Sequence, residues 1–458
     1  MLFQRFWCAP LAQAAYLIGD GGEAVIVDPL RDADELLAGA ARAGLRVRHV
    51  IGTHVHADFV AGLAEVAAAT GAEIAMGERF AGKLPCRRLP DGAEIEFGGA
   101  RLKVLETPGH TEDSVCLLVV PPDGDGAPER LLSGDTLFLG DVGRPDLAAG
   151  AGRSARDMAR RLHASVHGKI APLPDATEVW PAHGAGSACG VNIACEASST
   201  IGLQRLANWA LGEPDVERFC DRLLGALRPP PRYFARVAAL NQSGPRLIAE
   251  LAPPRRLSVD EVARAQAAGA TVLDVRTCIA YGRGHWPGAL GVGLDGGEFE
   301  AWAGALLPDG GVVVHAENAE QAHSAWLRLL RIGAEDVVGW TDELPPSPSK
   351  VPQIEAVDLF LELQKDPRAQ VLDVRRASEY ATGHVPGTVN TELGPELSAD
   401  PALAHFDRAR PTAVLCEGGY RSNAALQQLQ AMGFTALRNV VDGMTGWRAN
   451  ALPVERAG

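Results

Sequence analysis

A chain of 458 residues, 47% of them hydrophobic, is long enough for three domains of ordinary size with a core in each. Its 43 basic residues against 57 acidic ones give a net charge of −14, which argues against a nucleic-acid partner, and no apolar run approaches the ~20 residues a membrane helix needs. Eight scattered cysteines without a CxxC pair form no disulfide framework, and the N-terminus lacks a signal-peptide pattern, so a cytoplasmic protein is expected.

In chain order, Glu23-Ala24-Val25-Ile26-Val27 before Asp28-Pro29, and Val47 to Gly52, read as short buried strands of an α/β sandwich. Thr53-His54-Val55-His56-Ala57-Asp58-Phe59 follows the second run, and a helix is expected over 59–70. Side chains between a strand end and a helix start project into the crevice at the sheet edge, where ligand sites form. Three more segments come in order: Thr107-Pro108-Gly109-His110-Thr111, Leu132-Ser133-Gly134-Asp135-Thr136 and Pro181-Ala182-His183-Gly184. One histidine alone is ordinarily a satisfied polar residue. The four ordered segments together resemble the metal motifs of the metallo-β-lactamase superfamily, which implies an αββα sandwich. There the first segment reads THxHxDH, and Phe59 stands in place of the last histidine. An apolar ring offers no lone pair, so one metal ion is expected in place of two.

His54, His110 and Asp135 offer two imidazoles and one carboxylate, a set that leaves ferrous iron open positions for substrate and dioxygen. One carboxylate leaves the site net positive, which attracts an anionic sulfur substrate. His56, Asp58 and His183 then lie behind the ligands or are vestigial. A set that includes His56 suits a catalytic zinc, so Zn stays open beside Fe(2+). Residues 1–245 resemble the persulfide dioxygenases, mononuclear non-haem iron members of the superfamily. His54, His110 and Asp135 match their iron ligands, and Gly143-Arg144-Pro145-Asp146 matches a GRxD element near that site. The resemblance implies oxidation of a small thiol persulfide, such as glutathione persulfide, by O2 to sulfite and thiol at one iron per chain. Arg144 is the expected substrate anchor, because its guanidinium fork suits a carboxylate or sulfonate; a surface salt bridge is the alternative. Phe59 and the segment from Pro181 to Gly190 resemble the subgroup fused to rhodanese domains. Cys189 in that segment is a candidate second sulfur-holding thiol, and a homodimer is an expectation from the fold group alone.

The rest of the chain repeats itself. Val272-Leu273-Asp274-Val275-Arg276 recurs as Val371-Leu372-Asp373-Val374-Arg375, and Gly284-His285-Trp286-Pro287-Gly288 as Gly383-His384-Val385-Pro386-Gly387, both at an offset of 99 residues. Two tandem copies of one α/β domain are the simplest explanation. Each copy resembles a rhodanese domain, which gives domains at 255–345 and 354–458, with proline-rich boundaries at 228–232 and 343–349. In the second copy, Ala413-Val414-Leu415 leads into Cys416-Glu417-Gly418-Gly419-Tyr420-Arg421-Ser422 and then a helix. A cysteine in a glycine-containing loop at a helix N-terminus meets backbone N–H groups that favour thiolate and cradle an anionic persulfide. Cys416 is the expected sulfur carrier. Arg421 closes the CxxGxR pattern, and Glu417, Gly418, Gly419 and Tyr420 line the substrate; a cysteine-phosphatase loop carries one residue more. The first copy, aligned as Val313-Val314-His315 on Val414-Leu415-Cys416, continues as Ala316-Glu317-Asn318-Ala319-Glu320 with no cysteine in that loop and reads as a spacer or docking platform.

The expected function is persulfide dioxygenation coupled to sulfur transfer through Cys416, with sulfite accepting sulfur to form thiosulfate or thiosulfate donating it, in sulfide detoxification. The alternatives are a zinc thioester hydrolase related to glyoxalase II, fused to a sulfurtransferase, and a non-catalytic sulfur-carrier or sensor module.

Overall fold

The computed structural model describes residues 1–122, 129–147 and 152–456. Its residues group into two compact units, Met1–Ala252 with Leu330–Gly333 and Pro253–Leu329 with Ala334–Gly458.

The first unit carries two six-stranded sheets. One holds β1 (Leu2–Cys8), β2 (Gln13–Asp20), β3 (Glu23–Val27), β4 (Arg46–Ile51), β5 (Glu73–Gly77) and β6 (Arg87–Leu89) in sequence order. The other holds β7 (Glu94–Phe97), β8 (Ala100–Glu106), β9 (Val115–Val120), β10 (Arg130–Gly134), β11 (Glu178–Pro181) and β12 (Ser199–Thr200). Gly21 and Gly22 join β2 to β3 in a two-residue turn with both φ positive, the geometry that suits the twist of paired strands.

All six residues of β9 are buried because both faces of its sheet are covered. Val115, Leu117 and Val119 point to the other sheet and pack with Ile18, Val25, Ile51 and Leu102. Cys116 and Leu118 point outward, against Ala159 and Leu162 of the helix Ala155–Ser165 and Phe219 of the helix Val216–Ala226. Each fully buried Leu or Val contributes about 1.5–3 kcal/mol. Helices Asp34–Arg42 and Leu63–Thr70 bury Leu36 and Ala40, and Leu63 and Val66, in the same unit. The helix expected over 59–70 begins four residues later than read from sequence, at Leu63. Its forerunner, residues 52–62, is loop, and that loop carries the histidine segment.

The second unit contains two parallel sheets. The first runs β14 (Leu290–Gly291), β13 (Thr271–Asp274), β15 (Val312–His315), β16 (Val337–Thr341). The second runs β19 (Val389–Asn390), β18 (Gln370–Asp373), β20 (Thr412–Leu415), β21 (Leu437–Val440), β17 (Gln353–Ile354). The strand order is the same once β17 is set aside, as the sequence repeat requires. The register corrects one expectation. Asp274 pairs with His315, and its repeat partner Asp373 pairs with Leu415. His315 is therefore the counterpart of Leu415, and Ala316, not His315, stands where the second copy has Cys416.

Candidate metal centre and sulfur-carrier loop

His54 follows β4, His110 follows β8 and Asp135 follows β10, so three strand ends aim their side chains at one point. The β10–β11 register slips between Leu132 and Gly134, and Gly134 turns to φ +52, which swings Asp135 into the crevice. A Cβ on Gly134 would lie 2.9 Å from Thr53 Oγ1. The Nε2 atoms of His54 and His110 stand 3.7 and 3.5 Å from Asp135 Oδ2. Donors at that spacing surround a point about 2 Å from each, the ligand distance of zinc and similar ions. All three residues are buried, and neither His54 Nε2 nor Asp135 Oδ2 has a hydrogen-bond partner. Leaving such atoms bare is costly, and a cation satisfies them.

Neighbours fix which nitrogen carries the lone pair. Thr53 Oγ1 donates to Asp28 Oδ2 at 2.8 Å, so it accepts from His54 Nδ1 at 2.9 Å. His110 Nδ1 donates to the Arg144 carbonyl at 2.8 Å. Both Nε2 atoms are then free to ligate. Burial lowers the pKa of His54 and of His110, so both imidazoles stay neutral.

A second set of donors, His56, Asp58 and His183, converges nearby, and His56 Nδ1 and Nε2, Asp58 Oδ1 and His183 Nε2 likewise have no hydrogen-bond partner. His183 places Nδ1 2.7 Å from Asp135 Oδ1 and Nε2 2.8 Å from Asp58 Oδ2. Burial opposes a charge on His183, but Asp135 and Asp58 outweigh it and hold its pKa well above the usual range. His183 thus lies between the two carboxylates that a second ion would share. His56 Nε2 is 3.1 Å from Asp28 Oδ1, and its ring lies 4.2 Å from that of the fully buried Phe59.

Cys416 is buried at the end of β20, and its Sγ accepts from Gly419 N at 3.1 Å and Ser422 Oγ at 3.4 Å. Gly419, at φ +87, starts the helix Tyr420–Ala431, and a Cβ there would strike the Val441 carbonyl. Arg421 makes a two-pronged bond to Glu379, at 2.7 and 2.8 Å. Glu417 accepts from Thr445 Oγ1 at 3.1 Å and pairs with Arg448, while Gly418 faces open space. Tyr420 packs on Gly293 and Gly296 of the first copy. Cys278 of that copy contacts the Gly419 carbonyl through Sγ at 3.5 Å, and burial pushes its thiol up to about 12. Cys116 is likewise pushed by burial to about 11, whereas Cys195 is exposed. Iodoacetamide at pH 8 is expected to label Cys195 in the folded protein and leave Cys116 and Cys278 unlabelled, since both remain thiols; peptide mass spectrometry reads the outcome.

Comparison with known proteins follows the same division. A model of the metallo-beta-lactamase superfamily matches residues 8–183 and one of the rhodanese-like domain matches 356–450. A metallo-beta-lactamase of solved structure from Staphylococcus aureus subsp. aureus COL is 32% identical, with 98% of that chain and 74% of this one covered and a TM-score of 0.66. The chain belongs to the metallo-β-lactamase superfamily. This metallo-β-lactamase-fold domain is followed by a rhodanese-like domain at the C-terminus, in a mixed α/β chain. A hydroxyacylglutathione hydrolase of Anaeromyxobacter dehalogenans is 41% identical over 169 residues, and a mitochondrial persulfide dioxygenase of Bos taurus 32% over 171. Each alignment takes in 37% of this chain and spans 60% and 62%, respectively, of the relative's own length.

Within this superfamily member the structure brings together every metal-motif residue read from sequence and redirects one neighbour. The Arg144 guanidinium bonds Asp146 at 2.7 and 2.8 Å, the Ala188 carbonyl at 3.1 Å and the Arg228 carbonyl at 2.6 Å, so the expected substrate anchor is turned into protein. What Arg144 offers the centre is its carbonyl. A Cβ at Gly143 would collide with the Asp135 carbonyl, which is why a glycine precedes it. Cys189 lies at the wall of the centre, its Sγ grouped with Asp135 and His183, and burial together with Asp58 and Asp135 holds its thiol well above the ordinary range. Sequence reading missed Asp28 and Asn241. Asp28, at φ +51, anchors Thr53 N, Thr53 Oγ1 and His56; Asn241 Nδ2 holds the His56 and Phe59 carbonyls, both at 2.8 Å. The only signal for Asp28 was an aspartate closing an apolar strand, and Asn241 gave none.

Among the described residues no helix is long and apolar enough to cross a membrane.

Proposed function

We propose that this chain is a persulfide dioxygenase joined to a sulfurtransferase, built as domains over 1–245, 255–345 and 354–458. The first half oxidises a small thiol persulfide with O2 to sulfite and thiol, using one ferrous ion on His54, His110 and Asp135. The observation that carries this reading is a buried three-donor set in which His54 Nε2 and Asp135 Oδ2 have no hydrogen-bond partner, with His183 placed between Asp135 and Asp58 and Phe59 in the place of a further ligand. A ferrous ion in that set would supply open positions where a sulfur anion and dioxygen meet.

The protein's own groups do the remaining work. The Asp28–Thr53 relay and the Arg144 carbonyl hold the two imidazoles with Nε2 inward. His183 occupies Asp135 Oδ1, so Oδ2 alone is turned to His54 and His110. Burial keeps bulk water from the pocket and raises the effect of each charge inside it. In the second half, Cys416 carries sulfane sulfur in a loop whose Gly419 N–H and Ser422 hydroxyl steady a thiolate or persulfide. The first copy, with Ala316 in place of a nucleophile, is a rhodanese-like platform. Eight free cysteines and a working thiolate suit the reducing cytoplasm.

Likeness to a hydroxyacylglutathione hydrolase favours a second reading, a zinc thioester hydrolase. The test is anaerobic metal titration alongside a thioester assay. One iron per chain, with no hydrolysis of hydroxyacyl glutathione thioesters, is expected; two zinc ions per chain with rapid thioester turnover would establish the hydrolase instead.

A further inference from the structure

Three guanidiniums that reach the Cys416 loop are each paired with a carboxylate. Arg421 is bonded to Glu379, Arg375 to Asp373 at 2.7 Å, and Arg448 to Glu417. Glu417 is the residue directly after the nucleophile, at 37% side-chain exposure, and its second oxygen is 3.7 Å from Arg375. The first copy adds another acid, since Glu298 acts electrostatically on Arg421. The Gly419 N–H and the Ser422 hydroxyl are both aimed at Cys416 Sγ. That arrangement suits one negative charge. Thiosulfate brings two more at its reacting end and meets no uncommitted cation among these groups, whereas the reacting end of an organic persulfide brings at most one.

We propose that Cys416 exchanges sulfane sulfur with thiol-borne persulfides and disfavours thiosulfate, and that Glu417 sets this preference; the inference rests on Cys416 being the sulfur carrier. In the favoured step the Cys416 thiolate attacks the outer sulfur of R–S–S–H. The Sγ–S bond forms, the S–S bond of the donor breaks, RS⁻ leaves, and the proton stays on the new Cys416–S–SH, with no oxidant consumed. The reverse of thiosulfate donation passes through the same crowded charge, so sulfite is disfavoured as acceptor too.

The full chain is mixed with glutathione persulfide or with thiosulfate, and the 32 Da gain on the Cys416 peptide is followed by mass spectrometry. Loading from glutathione persulfide at least tenfold faster than from thiosulfate is expected. Glu417→Gln, and more strongly Glu417→Lys, should raise the ratio of thiosulfate loading to persulfide loading tenfold or more. Equal or faster loading of the native protein by thiosulfate overturns the proposal, as does an unchanged donor ratio in both variants. No gain from either donor is a different failure, that of the sulfur-carrier reading itself.

Discussion

Asp135→Ala is expected to bring oxygen consumption to background and to remove tight metal binding. Asp135 supplies the only carboxylate of the three-donor set, and the same side chain holds His183 at 2.7 Å, so its loss takes a ligand and frees the His183 imidazole together. Loss of an outer partner costs about 10–100-fold in affinity, and loss of a ligand more. Thr53→Val gives the smaller figure in the same series, because it leaves His54 in place without the relay that fixes its tautomer. Sulfur transfer through Cys416 should stay within about twofold in the Asp135 variant if the sites are energetically independent. Metal content by elemental analysis and oxygen uptake by electrode check this; undiminished metal and uptake in Asp135→Ala would remove the proposed centre.

Cys416→Ser should reverse the pattern, taking sulfur transfer to the uncatalysed rate and leaving persulfide-dependent oxygen uptake near its native value. A serine hydroxyl in this loop keeps contacts to Gly419 and Ser422 but is not ionised near neutral pH and cannot hold sulfane sulfur. The fold should survive, since the change is nearly isosteric. Transfer activity persisting in Cys416→Ser would point to another thiol as carrier, and Cys189, buried beside Asp135, would be the first to replace.

The donors His54, His110 and Asp135 were legible as a group because each lies in a short contiguous segment at a strand end, and those segments carry the resemblance to the superfamily's metal motifs. Relations across the chain were not legible. Nothing in sequence says that His183 is shared by two carboxylates, or that Asn241 ties down the loop before Leu63. Arg144 was legible as a motif and not as a direction, because Asp146 two residues on captures its guanidinium, and that pairing depends on the turn between them. The place of the missing cysteine was off by one for a related reason. A run of valines at Val312-Val313-Val314 aligns equally well in two registers, and only the pairing of Asp274 with His315 fixes which residue stands at the loop's first position. The αββα arrangement followed from motif order, and the doubly buried β9 explains why its strand shows a continuous apolar run where a one-sided strand would alternate.

The most direct measurement is oxygen uptake by protein loaded anaerobically with ferrous iron, on addition of glutathione persulfide, with sulfite and thiosulfate quantified from the same vessel. Many turnovers of oxygen, matched by sulfur oxyanion, are the predicted result. Iron bound at one per chain with no oxygen consumed for any of several thiol persulfides would contradict the account.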